Sequence, residues 1–170
     1  MNATELAGYL QGLQTYTGEV ELERVDPEGR VVPVMRIRGA NLIPLLVINQ
    51  HTLREEVDRV AAEILHWGAL RAHARRVWEV REREMRTWRS QRELDIRAAA
   101  QKAGEKVTEA GVEARYRTDP EYAVVNARVE AGEAQFNLTD AAYQAFKVKA
   151  DVLQADVRRA PDGSMQRLSP

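Results

Sequence analysis

The chain has 170 residues, 44% of them hydrophobic, enough for one domain with a real core and too many for a disordered polymer. Its 25 Lys/Arg and 26 Asp/Glu leave a net charge of -1, so no global basic character announces a nucleic-acid partner. The absence of cysteine excludes disulfides and thiolate metal sites; no apolar run approaches the ~18 residues of a membrane span, and the N-terminus lacks signal-peptide regions.

In chain order, Leu6, Tyr9, Leu10 and Leu13 recur at helical spacing after Thr4, which predicts a short helix over residues 4–13 with Thr4 as its cap, weakened by Gly8 and Gly12. The period then changes to two. Tyr16, Gly18, Val20, Leu22 and Arg24 alternate with Thr17, Glu19, Glu21 and Glu23, a strand pattern over 15–25. Asp26-Pro27-Glu28-Gly29 is a turn signal, because Pro27 is pre-set for the second turn position and Gly29 tolerates positive φ. Val31 to Arg38 returns as the second strand of a β-hairpin, with Pro33 marking an edge. Residues 42–48, Leu-Ile-Pro-Leu-Leu-Val-Ile, are apolar throughout and read as a buried connector or short strand, or alternatively as a subunit contact.

The organising stretch is one long arginine-rich helix from Thr52 to Gly104 carrying all three tryptophans. Leu53, Val57, Val60, Ile64, Trp67, Ala74, Trp78, Met85 and Trp88 step by three and four along one face, with Arg71 and Arg81 filling two seam positions and Arg92 ending the apolar run. Thr52 and Glu55 form a T-x-x-E capping box at its start, and Gly104 marks its end. Thr108 caps a short helix over 108–117, and Asp119-Pro120-Glu121 opens a last helix that runs to about Arg159. Along it Tyr122, Val125, Val129, Gly132, Phe136, Thr139, Tyr143, Phe146, Ala150, Leu153 and Val157 repeat the same steps. Two long seams joined by a short connection predict an antiparallel pair.

The fold expected is therefore mainly α: a long antiparallel, coiled-coil-like helical hairpin with a short connecting helix, and a small N-terminal helix plus β-hairpin. Residues 1–48 form a packing or oligomerisation unit, 49–159 the helical hairpin, and 160–170, with Pro161, Asp162, Gly163 and Ser164, a disordered tail. A homo-oligomer is expected, since the 42–48 run and the hairpin edges need cover.

Charge is segregated. Residues 1–70 hold six basic against ten acidic side chains, 71–103 hold ten against five, and 104–170 hold nine against eleven. Arg75, Arg86 and Arg97, eleven apart, align along the long helix, with Arg76 and Arg83 beside them and Arg89 toward the seam. Such a row can track a phosphodiester backbone. The competing reading is a solvated face, because Glu79/Arg83, Glu82/Arg86 and Glu93/Arg97 stand at i,i+4 in the favourable order. Trp67 and Trp78 sit on the seam and read as core. Trp88, off the seam centre, is a candidate base-stacking platform, as is Tyr116 between Arg115 and Arg117, read as exposed. The DNA-binding candidates are thus Arg75, Arg76, Arg83, Arg86, Trp88, Arg89 and Arg97. His51, His66 and His73 match no metal-ligand spacing, and no phosphate loop or catalytic constellation is present, so no cofactor, no metal and no enzymatic activity are expected.

This order of elements resembles the phage recombination mediators of the UvsY kind. The residues that carry the resemblance are Trp67 on a long charged helix, Lys106-Val107-Thr108-Glu109-Ala110 with Asp119-Pro120-Glu121-Tyr122, and the closing Lys147, Lys149 and Leu153. It spans roughly residues 50–158 and leaves the β-hairpin outside. It implies a ring-like homo-oligomer that binds single-stranded DNA without sequence preference and helps load a RecA-type recombinase onto DNA coated by single-strand-binding protein, in the cytoplasm of a bacterial host. The alternative is a coiled-coil scaffold or adaptor oligomer that does not bind DNA.

Overall fold

A computed structural model describes residues 3–15 and 18–159. Within them the chain runs α1 (Ala3–Thr15), β1 (Glu19–Val25), β2 (Val31–Arg38), a 3-10 turn (Gly39–Leu42), α2 (Ile43–Leu46), a second 3-10 turn (Gln50–Thr52), α3 (Leu53–Lys102), α4 (Glu109–Arg117) and α5 (Pro120–Arg159). The expected tail at 160–170 lies outside the described residues, as do Tyr16 and Thr17 of the first strand pattern. Helix α1 begins at Ala3, so Thr4 stands inside it and is not its cap.

The frame is the antiparallel pair of α3 and α5. Partners run in opposite directions along it: Glu56 meets Lys149, Trp67 stacks on Phe146, Arg71 pairs with Asp140, Trp78 stacks on Phe136, and Trp88 touches Tyr122. At about 1.5 Å per residue the 50-residue α3 extends for roughly 75 Å. The two backbones come close at Gly132, where a Cβ would lie 3.2 Å from the Trp78 Cα. Packing in the first half of α3 buries Val60, Trp67, Ala74 and Val77; Trp78, read as seam centre, is half-buried.

Local signals hold at most element ends. Gly104 takes φ +69°, and the bonds Glu105 N–H to Ala100 O (2.9 Å) and Gly104 N–H to Gln101 O (3.2 Å) close α3 with a Schellman motif. Thr108 Oγ1 accepts from Gly111 N–H (3.2 Å), and Asp119 Oδ1 from Glu121 N–H (2.9 Å). Gly29 in the hairpin turn has φ +82°, and its N–H donates to Asp26 O (3.0 Å). The Thr52–Glu55 capping box does not form. Thr52 lies at φ -128°, ψ 34°, away from the extended backbone an N-cap needs, because the chain enters α3 through a 3-10 turn whose own cap is Asn49 Oδ1, accepting from His51 N–H (3.0 Å).

The 42–48 run is neither a strand nor a wholly buried connector. It makes a helical turn with Leu42 and Leu46 inside and Leu45 and Val47 exposed, the last at 61%. The β-hairpin lays Leu22 and Ile37 on the helices, and Glu21 pairs with Arg36 (3.3 Å) on its outer face. Leu22 pairs with Met35 but Glu23 with Pro33, so Val34 is a bulge. Leu13, Leu22, Ile37, Leu42, Leu46, Val60, Trp67, Leu138, Ala142, Phe146 and Leu153 belong to one core, so α1, the β-hairpin and α2 share their interior with the helical hairpin.

Three buried polar side chains, Glu56, Gln135 and Lys149, had no signal in the periodicity. Lys149, 2% exposed, directs its ammonium at Glu56 Oε2 (2.5 Å), Leu45 O (2.7 Å) and Val47 O (3.2 Å), so all three of its protons are used. Gln135 Nε2 donates to Glu23 O (2.7 Å) at the bulge. The seam arginines are likewise partnered. Arg71 pairs with Asp140 and lies over the rings of Phe136 and Tyr143, while Arg81 reaches Glu84 (3.2 Å) and Glu23 (3.7 Å). An arginine on a helix seam is tolerated here because its stem packs while its head meets a carboxylate.

Candidate nucleic-acid interface

The basic face belongs to the part of α3 beyond Ala74, where α1 and the connector no longer cover the hairpin. Helix periodicity puts Arg76 and Arg83 within about 20° of one another on the side away from α5, with Arg86 about 60° from Arg83. All three are exposed, and none makes an ion pair among the described residues. The i,i+4 pairs that would neutralise this face, Glu79/Arg83, Glu82/Arg86 and Glu93/Arg97, do not form. Glu79 is turned to Arg75 (3.0 Å) and Arg97 to Glu109 of α4 (2.6 Å).

The seven candidates therefore separate into groups. Arg76, Arg83 and Arg86 present free guanidinium groups. Arg75 and Arg97 lie on the same side of the helix but are engaged by carboxylates. Arg89 lies over the ring of Tyr116, 5.4 Å from its centroid. Trp88 is half-buried and faces inward, edge-on to Tyr116 at 6.4 Å and tilted against Tyr122 at 6.0 Å. Tyr116 is not the exposed aromatic expected from its charged neighbours. It is 5% exposed, because α4 folds back onto the hairpin and turns its one large ring toward Trp88 and Tyr122.

Ion pairs fasten this end. Arg92 pairs with Asp119 and Arg115 with Glu105 (3.0 Å). The Asp119 carboxyl is held below the ordinary carboxylate range, first by the Glu121 N–H it accepts and then by the Arg92 guanidinium. Asp119 thus has two roles, capping α5 and tying its start to α3.

Elsewhere a cleft of about 360 Å³ between β1 and the helices is lined by Glu19, Glu21, Glu23, Arg81 and Arg128, and the Arg81–Glu23 pair occupies its charged wall. Among the described residues no three His, Asp or Glu side chains come together as a metal would require, and no helix is long and apolar enough to cross a membrane. Comparison of the chain with protein-family models, with curated proteins and with solved structures found no match.

Proposed function

We propose that the protein is a non-enzymatic homo-oligomer that binds single-stranded DNA along α3 and serves as a recombination mediator, helping to place a RecA-type recombinase on strands coated by single-strand-binding protein. The observation that carries the DNA-binding part is the set of three unpaired, outward guanidinium groups, Arg76, Arg83 and Arg86, on one continuous helix. Unpaired arginines at neutral net charge supply a local field that the whole molecule lacks, and oligomerisation multiplies it through effective concentration. The mediator role follows from the resemblance to the UvsY kind.

The competing scaffold reading is favoured by a different observation, the apolar surface left open at Val34, Met35, Leu45, Val47 and Leu65. One experiment separates the two. Wild type should bind a strand of about 40 nucleotides at low salt, with log affinity falling by roughly 0.7 per phosphate contact for each unit of log salt. Arg83→Glu with Arg86→Glu should abolish binding and leave the oligomer seen by light scattering unchanged. No binding by wild type, or equal binding by the double variant, favours the scaffold; a monomer at micromolar concentration removes the oligomeric part of both readings.

A further inference from the structure

Proteins that hold single strands without sequence preference usually combine a basic groove with exposed aromatic rings, because every base offers a face to stack. Here the two have been separated. Every described Trp, Tyr and Phe side chain is buried or half-buried, and the large rings are taken by one another: Trp67 by Phe146, Trp78 by Phe136, Trp88 by Tyr116 and Tyr122. The ring of Tyr143 is covered by Arg71 and Lys147, and Arg89 lies over Tyr116. Helix periodicity places Trp88 roughly 140° around α3 from Arg83, on the side that faces α4 and α5. A strand lying on Arg76, Arg83 and Arg86 meets guanidinium groups and the carboxylates of Glu79 and Glu82, and no Trp, Tyr or Phe ring.

Resting on the DNA-binding reading, we infer that the α3 face recognises the phosphodiester backbone alone, taking single and double strands of DNA and RNA without base contact. Selection of single strands is then not a property of this surface. The three free arginines on this face of each subunit give a predicted salt slope of about -2 per contacting subunit on a single strand and about -2.7 on a duplex, a ratio near 1.3 that is independent of how many subunits engage.

The test uses the full-length protein and fluorescently labelled dT and dA strands and a mixed-sequence duplex, each of about 40 nucleotides or base pairs. Anisotropy at fixed low salt should give dT and dA affinities within about threefold, with the duplex at least as tight, and salt titration should give the slope ratio near 1.3. Intrinsic tryptophan emission should be unquenched at saturation, since no indole is available to a base. Arg83→Gln with Arg86→Gln should remove about two-thirds of the slope on both substrates. A strand bound about tenfold tighter than duplex, a tenfold preference for dT over dA, or quenching of the tryptophans overturns this inference while leaving the DNA-binding proposal standing. Failure of all three substrates to bind overturns the DNA-binding proposal itself, and this inference with it.

Discussion

The two ends of the helical hairpin use the same three-four seam and solve its burial differently. At the end that holds Glu56 and Lys149, α1, the β-hairpin and α2 close over the helices, and the core there is aliphatic with Trp67 and Phe146 at its centre. At the other end only α4 covers the pair, and the interior narrows to the rings of Trp88, Tyr116 and Tyr122 beside the buried Met85, Ala100, Val112 and Val125, with ion pairs at its rim. The difference teaches how one helix can be both structural and available. At both ends charged residues of α3 are drawn into fixed partnerships, Glu56 with Lys149 at one and Arg92 and Arg97 with Asp119 and Glu109 at the other, while Arg76, Arg83 and Arg86, between the ends on the side away from α5, stay in water.

The largest effect should come from breaking the buried pair at the covered end. Lys149→Ala leaves Glu56 Oε2 and the carbonyls of Leu45 and Val47 without their donor, with only the more distant Arg59 (3.5 Å) beside the carboxylate, and should cost about 3 to 5 kcal/mol in chemical denaturation. Adding Glu56→Gln should recover part of that loss, because the stranded charge is gone; no recovery would mean the cost comes from the carbonyls and packing instead. An effect of the same order or below is expected from the tryptophans, and their ratio measures the contrast between the ends. Trp67→Ala, in the closed core, should cost about 3 to 5 kcal/mol and Trp88→Ala, half-buried against two rings, noticeably less. Equal costs would show that the aromatic cluster is as tightly packed as the main core.

The smallest effect is the pH dependence of the open end. The folded-state pKa of Asp119 is lowered from an ordinary value of 3.8, so its contribution is fully present above that value and is lost as pH falls through the lower, folded one. Asp119→Asn should therefore lower the denaturation midpoint at pH 7, and the difference from wild type should shrink once the solution is acidified below about pH 4. A difference that persists unchanged into acid would assign it to packing, not to the carboxylate's bonds with Glu121 and Arg92.

Signals that act within a few residues were readable in the chain: the Asp26–Gly29 turn, Thr108 and Asp119 as caps, Gly104 as a helix stop, and the two seams with their antiparallel pairing. Each depends on backbone chemistry or on a repeat that the chain carries by itself. Two local signals failed: Thr4 lies inside α1, and the Thr52–Glu55 box gives way because Asn49 and its 3-10 turn compete for the same entry to α3. The candidate face was readable only as a row of arginines. Which of them are free depended on groups distant in sequence, since Arg97 is claimed by Glu109, Arg92 by Asp119, Arg89 by Tyr116, and the expected neighbours Glu82 and Glu93 claim none. The sequence by itself determined the main helices and the hairpin, the caps at Thr108 and Asp119 and the pairing of the two long helices, because periodicity and capping are short-range properties of the backbone. Only the tertiary structure decided that Lys149 and Glu56 are interior, that Tyr116 is covered, and that Arg76, Arg83 and Arg86 are unpaired, because burial and charge pairing depend on which distant element arrives at each helix face.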